Sequence, residues 1–124
     1  MRVLIADNSA LIRERLTWLL ADLKDVEIAG QARDALEARR LAKRLKPDVA
    51  ILDVGMPKGG ETDLLFDVKK ANPSVKVIVL TNDAYPEIRN KCFDEGADYF
   101  FDKSTEFQKV VSVLKDMLPG PGTK

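Results

Sequence analysis

Five short apolar runs, each followed by apolar residues at helical spacing, constrain this chain more than any other feature. The runs Arg2–Ala6, Val26–Ala29, Val49–Leu52, Val75–Leu80 and Tyr99–Phe101 read as strands buried on both faces. After them come stripes of 3.6-residue period: Ile12, Leu16, Leu19, Leu20 and Leu23; Ala38, Leu41, Ala42 and Leu45; Leu64, Leu65 and Val68. Ile88, Cys92 and Phe93 mark a fourth, and Phe107, Val110, Val111, Leu114 and Met117 a fifth. Strict strand-helix alternation implies a parallel sheet with right-handed crossovers and helices on both faces. Five such units are too few for an eight-stranded barrel. The expected fold is therefore α/β, an open five-stranded parallel sheet, for which the order 2-1-3-4-5 is the economical solution. In such a sheet ligands bind beyond the carboxyl ends of the strands, at the reversal between strands 1 and 3.

The boundaries carry matching chemistry. Asp34 with Glu37, and Thr105 with Gln108, have capping-box spacing. Pro86 suits the first turn of the fourth helix and Gly96 its exit. Lys46-Pro47 and Asn72-Pro73 stop the second and third helices. Residues 1–118 read as one domain, and Pro119-Gly120-Pro121-Gly122 opens a flexible tail or the start of a linker over 119–124.

Several function classes are excluded or disfavoured. The chain of 124 residues has room for one core, and 45% apolar content supplies it. Twenty basic and twenty acidic residues balance, so direct nucleic-acid binding by this domain is disfavoured. No basic leader opens the chain, and no apolar run approaches the roughly 20 residues of a membrane span. The single cysteine, Cys92, reads as a small buried hydrophobe and fits a reducing compartment, with cytoplasm as the expected location. The basic run Arg39-Arg40 with Lys43-Arg44 reads as a solvated helix face. With no histidine, imidazole acid/base chemistry, Ser-His or Cys-His pairs and imidazole metal ligation are excluded.

The residues at the carboxyl ends of the strands are then the functional test. Strand 1 ends in Asp7-Asn8, strand 3 in Asp53, strand 4 in Thr81 and strand 5 in Lys103. Two carboxylates, a hydroxyl and an ammonium thus converge on one crevice from four distant segments. Carboxylates held close repel, so keeping both ionised needs a cation, and oxygen ligands favour Mg²⁺. A metal also neutralises charge on a phosphoryl group, with Lys103 and the Thr81 hydroxyl available for its other oxygens. Asp53, central and followed by a turn that exposes backbone groups, is the candidate nucleophile for a covalent acyl phosphate.

Asp7, Asp53 within Leu52-Asp53-Val54-Gly55-Met56-Pro57, Thr81, and Lys103 after Gly96-Ala97-Asp98-Tyr99-Phe100-Phe101-Asp102 together resemble the response-regulator receiver domain over roughly residues 2 to 118. The resemblance implies a flavodoxin-like fold and a phosphoacceptor switch of two-component signalling that catalyses at most its own phosphorylation and dephosphorylation. It implies that Asp53 takes phosphate from a phosphohistidine on a sensor histidine kinase or phosphotransfer protein. It implies that Asp7, Asn8, Asp53 and the Gly55 carbonyl serve Mg²⁺, and that Lys103 pairs with the phosphoryl group. Thr81 would turn toward the phosphate and let Phe100 turn inward, remodelling the face around helix 4, strand 5 and helix 5. That face, with Tyr85, Arg89 and Phe100, would meet a downstream protein or missing output domain, or a second copy in a homodimer.

Departures from the family pattern carry expectations of their own. Asn8 stands where such receivers carry a second acid, which predicts weaker Mg²⁺ binding. Asn82 follows Thr81 where a small residue is usual, and Ser104 follows Lys103 where many relatives have proline. The glycine of the turn after Met56-Pro57 is displaced to Gly59-Gly60. The alternative reading is a pseudo-receiver, a docking module with weak or no phosphorylation because of Asn8. A phosphatase or dehalogenase would need a second Asp two residues after the nucleophile, where this chain has Gly55. A flavin carrier would need a Ser/Thr/Gly-rich phosphate loop after strand 1, where Asp7-Asn8-Ser9-Ala10 is acidic.

Overall fold

The computed structural model describes residues 1–56 and 61–118. Pro57, the Gly59-Gly60 pair and the tail 119–124 lie outside the described residues. The chain runs β1 (Arg2–Ala6), α1 (Ala10–Leu20), β2 (Glu27–Ala32), α2 (Ala35–Leu45) and β3 (Val49–Leu52). It continues as α3 (Glu61–Ala71), β4 (Lys76–Thr81), α4 (Pro86–Asp94), β5 (Tyr99–Asp102) and α5 (Lys109–Met117). The five strands pair in parallel, as the alternation implies, in the expected order β2-β1-β3-β4-β5.

The two-residue period of the strands divides the core. Val3, Ile5, Val49, Ile51, Ile78 and Leu80 pack on one face with Leu16 and Leu20 of α1 and Val110 and Leu114 of α5. Leu4, Ala6, Ala50, Leu52, Val77 and Val79 pack on the other with the alanines of α2, Leu64, Leu65 and Val68 of α3, and Cys92 of α4. The central strands are apolar on both faces because helices cover both.

Some local readings need correction. β2 begins one residue later than Val26 and extends three past Ala29. Its pairing with β1 shifts register between Val3 and Leu4, which face Ile28 and Gly30, so the strand passes through Gly30 and Gln31 rather than stopping there. α1 ends at Leu20, and Leu23 reaches the core from the turn beyond it. The Asp34–Glu37 box forms, with the Asp34 carboxylate accepting from Glu37 N at 2.8 Å. Glu37 reaches back one residue further than expected, to Arg33 N at 2.9 Å. The Thr105–Gln108 box does not form. α5 starts at Lys109, and its N-cap, Gln108, makes no side-chain capping bond. A competing turn takes its place, in which the Asp102 carboxylate accepts from Ser104 N and Oγ and Glu106 accepts from Asp102 N. These bonds hold the Asp102 and Glu106 carboxyls below their ordinary pKa values, Ser104 being the main cause for the first and Lys109 for the second. Helix α2 closes on Lys46 in the left-handed region (φ 46°), and α4 exits through Gly96 at φ 113°. A side chain at Gly96 would be strained by that φ and would crowd Lys69 Cγ at 3.2 Å.

Candidate functional site

Three of the expected residues are each the first residue past a strand, and each is held by one further rung of the parallel ladder. Asp7 N donates to Ala32 O, Asp53 N to Ala6 O and Lys103 N to Thr81 O, at 2.8–2.9 Å. The sheet therefore fixes their Cα positions without help from the loops.

Their side chains meet. Lys103 Nζ lies 2.7 Å from Asp7 Oδ2 and 3.0 Å from Asp53 Oδ2. The other Asp7 oxygen accepts from Ser9 N at 2.8 Å, and the other Asp53 oxygen from Gly55 N at 3.0 Å. Asp7, Thr81 and Lys103 are the buried polar residues among those described, and Asp53 is only slightly more open. Burial pushes the Asp7 carboxyl above the ordinary aspartate pKa, and the bonds from Lys103 and Ser9 only partly oppose this. Burial also works against the Lys103 charge, but the two carboxylates outweigh it and leave that pKa raised. Lys103 is therefore an ammonium at neutral pH, and it serves as the internal cation of an acidic crevice.

This balance makes a stability prediction. A carboxyl whose folded pKa is raised contributes stability below its unfolded pKa and loses it as pH rises through the folded value. Ionised Asp7 is thus a strain on the fold at neutral pH. Asp7→Asn, which keeps an acceptor for Ser9 N, should raise Tm at neutral pH, with the gap narrowing toward about pH 4. Thermal unfolding across that range checks it, and a lower Tm for the variant at neutral pH would contradict it.

Thr81 is fully buried at the end of β4, the strand beside β3, and its Oγ1 accepts from Asp83 N at 3.0 Å. Gly55 sits at the mouth. A Cβ there would lie 3.6 Å from Asp53 Oδ1 and 3.2 Å from Asp83 Oδ2, so glycine keeps the approach to Asp53 open. Asn8 is exposed, and its side-chain amide donates to Arg33 O at 3.3 Å. Tyr85, Arg89 and Phe100 form a separate group around α4. Tyr85 and Arg89 are exposed, whereas Phe100 is buried at 5% exposure on the α2-α3-α4 face of the sheet.

The site also uses residues that the strand-end reading missed. Ser9 is the N-cap of α1, accepting from Ile12 N while its own N–H holds Asp7. Its place just before the helical stripe was a usable capping signal. Arg13 reaches back to Asp7 O, and Asp83 flanks both Thr81 and Gly55. Neither contact has a local signal, because each depends on how loops lie across the sheet end.

The donor set fits a hard cation. Two carboxylates brought to one ammonium suit Mg²⁺, which takes one or two carboxylates and keeps several waters. Among the described residues no three acidic, histidine or cysteine side chains gather in metal-binding geometry, so any such ion relies on two carboxylates plus neutral oxygens. No described helix is long and apolar enough to cross a membrane.

Residues 3–115 match the family model described as response regulator receiver domain. The response regulator GacA of Pseudomonas aeruginosa is 29% identical over 123 residues, covering 97% of this chain and 56% of that protein. A protein-glutamate methylesterase/protein-glutamine glutaminase of Rhizobium johnstonii is 42% identical over 80 residues, covering 64% of this chain and 23% of that protein. The chain thus spans about half or less of these relatives. The response regulator domain of Thermotoga maritima CheB superposes with a TM-score of 0.80 at 30% identity, covering 94% of this chain and 92% of that one. The signal receiver domain of the putative response regulator NarL from Mycobacterium tuberculosis gives 0.84 at 28% identity, covering 94% of each.

Proposed function

The chain belongs to the response-regulator receiver family of two-component systems, and from that premise we propose that Asp53 is its phosphoacceptor. The supporting observation is the single ammonium, Lys103, shared by Asp53 and Asp7 at the bottom of a crevice that Gly55 leaves open.

In the proposed reaction, an Asp53 carboxylate oxygen attacks the phosphorus of a phosphohistidine on a sensor kinase or phosphotransfer protein. The new bond is an acyl phosphate, the P–N bond breaks, and the leaving imidazole keeps that bond's electron pair. Gly55 N holds one Asp53 oxygen at 3.0 Å, so the carboxylate is presented in one orientation. Lys103, already at Asp53, is placed to follow the charge onto the phosphoryl oxygens. Thr81 Oγ1 accepts from Asp83 N, so its hydroxyl hydrogen stays available for a phosphoryl oxygen. Mg²⁺, held by Asp7, Asp53, the Gly55 carbonyl and the Asn8 amide oxygen, would neutralise charge on the incoming group. Hydrolysis of the acyl phosphate returns Asp53 to its free carboxylate, so the domain acts as a timed switch with no other substrate.

A downstream protein or attached output domain, or a second copy, would dock on the face of α4, β5 and α5 that carries Tyr85, Arg89 and Phe100. We place the domain in the cytoplasm and assign any nucleic-acid contact to another domain. Incubation with acetyl phosphate and Mg²⁺ should add one phosphoryl group to the intact mass, and EDTA should prevent it. A protein that binds Mg²⁺ yet never gains mass would be the pseudo-receiver instead. Asn8→Asp supplies the missing charge and should tighten Mg²⁺ roughly tenfold, the effect of about 1.4 kcal/mol of added attraction. Calorimetric titration checks this, and unchanged affinity would remove residue 8 from the metal site.

A further inference from the structure

Phe100 is already buried while the Thr81 hydroxyl is bonded within its own loop. Thr81 Oγ1 accepts from Asp83 N at 3.0 Å and is thereby tied to its own loop. Phe100 lies inside, in the buried cluster that also holds Val77, Val79, Cys92 and Ala97 and against which Ile88 packs. Two neighbours close the way out. The Phe93 ring stands 6.3 Å from the Phe100 ring at a tilt of 47°, and the Arg89 guanidinium caps both rings, 5.2 Å from Phe93 and 5.9 Å from Phe100. Phe93 and Arg89 are four residues apart on α4, so one helix face supplies the whole clasp. Turning Phe100 outward would break both ring contacts, expose its apolar surface and open a void beside Cys92.

Building on the phosphoacceptor reading, we propose that Phe100 is held inside by the Arg89–Phe93 clasp whether or not Asp53 is phosphorylated. The α4–β5 surface is then in its ring-in form at rest. The crevice signals through the Thr81–Asp83 loop and the N-cap of α4 at Tyr85, without turning the Phe100 ring. A partner that recognises the ring-in surface would engage this domain before phosphorylation, and phosphorylation would adjust that binding rather than create it.

The test is ¹⁹F NMR on protein carrying 4-fluorophenylalanine at its five phenylalanines. Phe100→Leu assigns the Phe100 resonance, and Phe100→Tyr removes the same signal if the leucine variant fails to fold. Solvent isotope shifts between H₂O and D₂O report exposure. Phe107, 6% exposed, and Phe66, 53% exposed, serve as internal limits. The Phe100 shift should match Phe107 at rest and stay there after beryllofluoride and Mg²⁺. Arg89→Ala/Phe93→Ala should move it toward Phe66. A ring exposed at rest, or one left as shielded by the double variant, overturns the proposal. Bound beryllofluoride has its own fluorine signals. Their absence would count against the phosphoacceptor reading alone, while the resting shift and the double variant would still decide the fate of the clasp.

Discussion

Replacing Lys103 by methionine should lower folding stability at neutral pH by about 3 kcal/mol, the scale of a buried ion pair that loses one partner. Methionine roughly preserves the apolar stem, so the loss is of charge rather than volume. Lys103 answers two carboxylates at 2.7 and 3.0 Å, and without it Asp7 and Asp53 face each other across a poorly solvated space. The Asp7 carboxyl is already raised by burial and is opposed chiefly by Lys103, so removing the ammonium raises it further. A raised carboxyl contributes stability that is complete below its unfolded pKa, about 3.9, and is lost as pH rises through the folded value. The deficit of the variant is therefore widest at neutral and alkaline pH and shrinks toward pH about 4. The wild-type lysine has a raised pKa too, so its contribution persists below about 10.4 and fades only above that. Denaturant titrations at acidic and neutral pH measure the difference. A deficit equal at every pH would assign Lys103 a packing role instead.

Asp53→Asn should abolish phosphoryl acceptance, a loss of at least the roughly 100-fold that removing one transition-state donor costs. The amide leaves an oxygen to accept from Gly55 N and fills the same space, so folding should survive while the nucleophile is gone. The variant also relieves the repulsion between Asp53 and Asp7, so its Tm at neutral pH should equal or exceed that of the wild type. Mass spectrometry after acetyl phosphate, paired with a melting curve, separates loss of chemistry from loss of structure. Phosphoryl uptake by this variant would place the acceptor elsewhere.

Much of this architecture was legible in the sequence because strand ends are local features. Asp7, Asp53 and Thr81 directly follow apolar runs and Lys103 comes one residue later, and alternation alone sends all those ends to one side of the sheet. The sheet order was not dictated by that pattern; 2-1-3-4-5 was the economical arrangement for five such units, and it is the one found. What could not be read depends on tertiary competition. β2 continues through Gly30 and Gln31 because β1 offers it partners, a fact absent from its own propensities. The start of α5 slides to Lys109 because Asp102, Ser104 and Glu106 form a turn that outcompetes the Thr105 cap. Phe93 carries the spacing of a core residue, yet it is 38% exposed and acts as a cover for Phe100. In the crevice, Asp83 and Arg13 enter through loop geometry that no spacing reveals.

The most direct measurement is the position of the phosphoryl group itself. Borohydride cleaves an acyl phosphate reductively and converts the modified aspartate to homoserine, which peptide mass mapping locates. After treatment with acetyl phosphate and Mg²⁺, the conversion should fall on Asp53 alone, with Asp7 and Asp83 unchanged. Conversion at either of those carboxylates, or at none, would contradict the assignment of Asp53 as the nucleophile.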